Sequence, residues 1–195
     1  SDPRKAFTYA REALAMAEDL KNESRIGSAN RAIAGVYTFT AIYDKALEYL
    51  FSALSQFKNL DDSANMARCY DDIGVVYRLS GDFTNARSNL QHAIDVNKKL
   101  RDNAQIAINY MNMGMAYLNV DSIDKGLSYF TVSYMIADSL DMEEEKVILL
   151  NNIGYGFARL GQHEDALKNF YKVLELMSGK PDDFTRSEAM VNIAR

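Results

Sequence analysis

The chain has 195 residues, a formal net charge of −5, one cysteine and two prolines, with 48% hydrophobic and 25% charged residues. That length is ample for a sizeable core, while the acidic balance argues against a nucleic-acid partner, whose binding draws most of its affinity from phosphate neutralisation. A single cysteine, Cys69, excludes an internal disulfide and a cysteine-based metal cluster, and no run approaches the roughly 20 apolar residues of a membrane span.

Ser1-Asp2-Pro3 reads as a helix start, with Asp2 as cap and Pro3 at the first helical position. From Glu23 to Phe39 the apolar residues Ile26, Ala29, Ile33, Ala34 and Tyr37 recur at spacings of three and four, which places them on one helix face. A joint near Thr40–Ile42 leads to a second helix over Tyr43–Asn59 that is expected to bury Ala46, Leu50, Ala53 and Leu54. The pair makes a helical hairpin. The next hairpin turns at Ser80-Gly81-Asp82, where Gly81 permits the tight turn and Asp82 caps the following helix. The third turns at Val120-Asp121-Ser122, with polar caps expected in place of glycine, and the fourth at Leu160-Gly161-Gln162. Ser178-Gly179-Lys180-Pro181 is expected to stop the last complete hairpin, and Asp182-Asp183 to start one more helix that runs to Arg195.

These hairpins are copies of one another. Leu150-Asn151-Asn152-Ile153-Gly154-Tyr155 has its counterparts 40, 80 and 120 residues earlier, in Tyr110–Met115, Tyr70–Val75 and Asn30–Gly35. A fixed period of this size marks an all-α stacked array in which each unit buries its apolar face against its neighbours. The expected organisation is a single array over 1–195: the second helix of a partial unit over 3–22, repeats over 23–60, 61–101, 102–141 and 142–181, and the first helix of another partial unit over 182–195. Because it starts and stops mid-repeat, the chain is expected to be cut from a longer protein, and its open ends make a homodimer an expected outcome. The columns Ala34, Gly74, Gly114, Gly154 and Ala46, Ala86, Gly126, Ala166 hold small residues where helices approach. Leu50, Leu90, Phe130, Phe170 and the aromatic column Tyr37, Tyr77, Tyr117, Phe157 supply the bulk. Tyr117, read as buried, should cost about 3–5 kcal/mol when cut to alanine.

The spacing of Ile73, Gly74, Tyr77, Ala86, Leu90 and Ala93 resembles the tetratricopeptide repeat, and the resemblance covers essentially the whole chain. The period is longer than the family's usual value of about 34 residues. The family's closing proline is missing at Lys58, Lys98 and Asp138, and its early aromatic is kept only as Tyr70 and Tyr110. Extended repeats of this kind look like those of bacterial sensor and regulator proteins. The resemblance implies a right-handed superhelical solenoid of antiparallel hairpins whose first helices line a concave face for ligands. Carried over column by column, the expected lining is Ser28, Arg68, Ile108, Ile148; Arg31, Asp71, Met111, Asn151; Ala32, Asp72, Asn112, Asn152, Asn192; Gly35, Val75, Met115, Tyr155; and Thr38, Arg78, Leu118, Ala158.

An amide column offers donors and acceptors to the backbone of an extended peptide, although the same amides can bridge neighbouring helices. Met111, Met115 and Leu118 suit the face of an amphipathic helix, and Arg31, Arg68, Arg78 and Arg159 supply an expected basic rim for an acidic peptide. The expected partner is therefore a protein or peptide, with no nucleic acid and no membrane contact. His92 and His163 form no ligand pair, and no phosphate loop, His-Glu-x-x-His or nucleophile with base is present, so neither catalysis nor a cofactor is expected. The implied role is a binding scaffold in the input or regulatory region of a bacterial signalling protein. The alternatives are a regulator that closes around a signal peptide, and a structural spacer. The compartment stays open: periplasm if the array precedes a membrane helix, cytoplasm otherwise.

Overall fold

The computed structural model describes residues 3–178 and 184–193. Among these are ten helices and no strand: α1 (Pro3–Asp19), α2 (Glu23–Phe39), α3 (Tyr43–Asn59), α4 (Ser63–Ser80), α5 (Phe83–Leu100), α6 (Asn103–Leu118), α7 (Ile123–Ser139), α8 (Glu143–Arg159), α9 (His163–Leu176) and α10 (Phe184–Ile193). Consecutive helices pack as pairs, the arrangement of a tetratricopeptide-like helical solenoid. The chain divides into two compact units, residues 1–101 and 102–195. The cap expected of Asp2, the stop at 179–181 and the start at Asp182-Asp183 lie outside the described residues.

The junctions have a rule of their own. Residues 21, 41, 61, 81, 101, 121, 141 and 161 all have positive φ, so the chain reverses every 20 residues through one left-handed residue. Only Gly81 and Gly161 fill that position with the residue that tolerates it best. Asp121 takes it in the third hairpin with φ 57°, and Ser122 makes no side-chain cap bond. This corrects the expectation that polar caps replace the glycine there: an aspartate accepts the left-handed backbone itself. Side-chain caps form at four other starts, with Asn22, Asp62, Asp82 and Asp102 each accepting from the backbone N–H three residues on, while Ile42, Met142 and Gln162 make none. Ala41, with φ 57°, has no polar side-chain group to offset the left-handed backbone. Ala41→Gly is expected to raise stability by about 0.5–1 kcal/mol, since relief of the left-handed cost exceeds the added freedom of the unfolded chain; thermal melting checks it.

In unit 1 the hairpin α2–α3 packs on α4 through Ala34, Ala46, Leu50, Ile73 and Val76, with Tyr37, Tyr49 and Tyr77 half-buried around them. Phe57 at the end of α3 is fully buried against Ala53 and Cys69, whereas Leu54 is only half-buried, contrary to expectation. Desolvation pushes the Cys69 thiol up to about 12, so it serves as a small apolar core residue. In unit 2, Leu118, Phe130, Ala137 and Leu149 form one cluster, and Val147, Leu150, Val173, Met177 and Ala189 another.

The tightest packing pairs the small column with the bulky one. A Cβ on Gly74 would stand 2.7 Å from Leu90, one on Gly114 2.6 Å from Phe130, and one on Gly154 2.6 Å from Phe170. Leu90, Phe130 and Phe170 are at most 1% exposed. Tyr117 is half-buried and stacks on Tyr129 at 5.4 Å, so the expectation of a 3–5 kcal/mol core anchor belongs to the phenylalanine column instead. Tyr117→Ala should cost the smaller loss of about 1–2 kcal/mol typical of a part-exposed ring contact.

Candidate functional site

In unit 1 the exposed face of α2 is bare. Ser28, Ala32 and Gly35 follow one another at helical spacing along it, all exposed, and Phe39 stands at the end with 77% of its surface free. Between this strip and α4 opens a groove of about 590 Å³, lined by these residues with Arg31, Thr38, Asp72 and Val75. On the other side of the strip, toward α1, lie two further hollows of about 370 and 270 Å³; the first is bounded by Met16, Leu20 and Arg25 and the second by Ala6, Val36 and Phe39. Their walls are mainly apolar, with Arg25 and Ser28 among the residues of the first.

Arg31 and Asp72 meet on the floor of the groove. Arg31 Nη2 is 2.7 Å and Nε 2.8 Å from Asp72 Oδ2, with both side chains about one-third exposed at 26% and 37%. Two donors on one carboxylate oxygen hold the pair in a fixed geometry. Burial nevertheless outweighs the attraction of Arg31 and Arg68 and holds the Asp72 carboxyl above its ordinary value of 3.8. A carboxyl raised in the folded chain adds stability that is full below its unfolded value and is lost as pH rises through the folded one. Asp72→Asn removes this titration. The stability of the variant relative to the parent is therefore expected to rise between about pH 3 and pH 7, as urea midpoints across that range would report.

The other expected residues divide. Arg68 is exposed one turn before Asp72. Arg78 is half-buried, its Nε has no hydrogen-bond partner, and burial lowers its guanidinium from the ordinary value against the pull of Asp71. In unit 2, Ile108, Met111, Asn112, Met115 and Asn152 are half-buried, and both methionines pack against the Leu118–Phe130 cluster. Tyr155 is 43% exposed, with the Arg159 guanidinium 5.9 Å from its ring centre.

Three expected groove residues are engaged in holding helices together instead. Asn151 is 4% exposed; its Nδ2 donates to Glu188 at 2.8 Å and its Oδ1 accepts from Asn192 Nδ2 at 3.5 Å, so the two amides bridge α8 and α10. Arg159 donates to the Leu118 carbonyl at 2.8 Å and pairs with the Asp121 carboxylate, which fastens the α6–α7 turn to α8. Leu118, placed in the lining by its column, is buried at 2%. The basic rim shrinks accordingly: Arg31 and Arg78 are half-buried, Arg159 is exposed but tied to Asp121 and Leu118, and Arg68 is exposed with no ion pair among the described residues. Phe39, by contrast, lies outside the expected set. A large apolar residue in the last helical turn, beyond the matched columns, was the only sequence sign of it.

His92 rests on Tyr70 with ring centres 5.3 Å apart, on the side of α5 that faces α4. Among the described residues no group of three or more His, Cys, Asp or Glu side chains is placed to hold a metal ion, and no helix is long and apolar enough to cross a membrane.

The tetratricopeptide repeat profile matches residues 25–99, which span α2 to α5 and the whole of the groove wall formed by α2 and α4. Residues 25–99 are tetratricopeptide repeats. No curated protein matches the sequence. Solved structures show where else this solenoid occurs. BtubC from P. vanneervenii aligns with a TM-score of 0.83 at 16% identity, over 99% of this chain and 82% of its own. A Rap protein complexed with competence and sporulation factor aligns at 0.87 and 15%, over 94% of this chain and 51% of its own. A signal-transduction ATPase of the STAND class with a tetratricopeptide repeat sensor, from Pyrococcus horikoshii, aligns at 0.81 and 18%, over 98% of this chain and 30% of its own. The chain thus spans about half of the Rap protein and less than a third of the ATPase, and at these identities the likeness is one of fold.

Proposed function

We propose that this chain is a non-catalytic scaffold that binds a protein segment or peptide along the exposed faces of its first helices, as the input or regulatory region of a bacterial signalling protein. The observation that carries the reading is the groove of unit 1. Its volume of about 590 Å³ falls in the range of ligand sites, roughly 300–1,000 Å³. Seven of its lining residues, Ser28, Arg31, Ala32, Gly35, Thr38, Asp72 and Val75, come from the columns that family resemblance assigns to the ligand face. The tetratricopeptide sensor of the STAND ATPase supports a regulatory place for such an array.

The test is selection of binders from a random peptide library, followed by affinity measurement on Ala32→Trp, in the groove, and on Asn112→Ala/Asn152→Ala, on the first helices of unit 2. Binding of at least part of the selected set is expected to weaken by about tenfold or more, with unfolding free energy changed by less than about 1 kcal/mol. A large stability loss with unchanged binding would return these amides to a purely structural role.

A second reading has its own support in the Rap protein, whose solved structure holds a signalling peptide: the array closes around a short peptide. Small-angle scattering with and without a selected peptide separates the two, since closure reduces the radius of gyration and a rigid scaffold keeps it.

A further inference from the structure

We infer that the unit 1 groove is built for an acidic segment carrying one large apolar side chain, which seats over Gly35 while its carboxylates face Arg68 and Arg25; this rests on the groove reading above. The first observation is Gly35 itself. Among the described residues, the helical glycines at 27, 74, 114, 126, 154 and 156 all have a neighbour within 3.0 Å of where a Cβ would stand, so packing requires them. At Gly35 such a Cβ would meet nothing within 4 Å, and its φ is not left-handed. A glycine inside a helix weakens it relative to alanine, and here neither a turn nor a close internal contact requires that cost. The same column holds Val75, Met115 and Tyr155 in the other repeats, so this helical position accepts large side chains. In the first repeat the room they would fill is left open. With Ser28 and Ala32 beside it and the exposed Phe39 ring at its end, the notch fits an incoming leucine, methionine or aromatic side chain.

The second observation is charge. Arg31 is matched by Asp72 at 2.7 Å. Arg68, on α4, and Arg25, which lines the adjoining hollow, are exposed and belong to no ion pair among the described residues. Two exposed arginines thus stand beside the groove, Arg68 one turn before Asp72 and partly drawn by its carboxylate, and Arg25 in the hollow that shares Ser28 and Ala32 with it, in a chain whose net charge is −5. Charges of opposite sign on a partner gain affinity and encounter rate there, and basic partners are repelled.

The experiment is selection from a random 12-residue display library on the wild-type chain, followed by anisotropy titration of the enriched peptides at about 0.1 M salt, where such charges still act. Enriched sequences should carry a Phe, Leu, Met or Tyr flanked by Asp or Glu. Gly35→Met should weaken them at least tenfold while leaving the thermal midpoint at or above that of the parent, because it replaces a helical glycine in open space. Arg68→Glu should weaken the same peptides and shift selection toward Lys- and Arg-flanked sequences. Enrichment of neutral or basic peptides, or acidic ones indifferent to Gly35→Met, overturns the inference. If those peptides are lost on Ala32→Trp, at an exposed position that lines the same groove, the groove reading stands without it; if no peptide is enriched, both fall.

Discussion

Phe130→Ala is expected to lower the unfolding free energy by about 3–5 kcal/mol. Phe130 is 0% exposed, and its ring fills the space that Gly114 leaves bare between α6 and α7, against Leu118, Ala137 and Leu149. Truncation removes both the transfer free energy of the ring and its contacts on every side. The cavity cannot collapse, because one wall is helix backbone at Gly114 and the other is α8. The stability of a repeat array is close to a sum of intrinsic repeat and neighbour-interface contributions, and Phe130 belongs to both, so the loss is expected in unit 2 as a lower urea midpoint followed by far-ultraviolet circular dichroism. A loss below about 1 kcal/mol would mean that the neighbouring half-buried side chains Met111 and Met115 relax into the gap.

Gly154→Ala is expected to destabilise by about 1–3 kcal/mol, and Phe170→Leu in the same chain to recover most of it. A methyl group at 154 would lie 2.6 Å from Cε1 and 2.8 Å from Cδ1 of Phe170, a ring that is 1% exposed and has no room to withdraw. Alanine favours the helix over glycine by about 1 kcal/mol, so the net loss reports the overlap less that gain. The rescue follows from the chain's own solutions: the first repeat combines Ala34 with Leu50 in its buried cluster, and the second and third combine glycine with Leu90 and Phe130. A double-mutant cycle measures the coupling directly. Additive losses at 154 and 170 would show that the overlap is relieved by a shift of α9.

Much of this protein was legible in the order of its residues. The 40-residue period, the helical spacing within each half and the alternation of small and bulky columns determined the all-α solenoid and the helix pairs, because these follow from local periodicity and from volumes that must match across one interface. Gly81 and Gly161 announced two of the left-handed junctions. The other six are held by Lys21, Ala41, Asp61, Arg101, Asp121 and Asp141, where tertiary packing overrides the preference of the residue.

The ligand face was legible only as a set of columns. Which members face solvent depended on contacts about 40 residues apart in the chain, such as Arg31 with Asp72, Arg159 with Leu118 and Asp121, and Asn151 with Glu188. A column gives a side chain its direction but not its partner. An arginine or an amide reads alike in sequence whether it meets a ligand or the next helix. Gly35 shows the same divide: in sequence it is one of ten glycines, and only the packed structure reveals that its Cβ would meet open space where the other helical glycines among the described residues meet a neighbour.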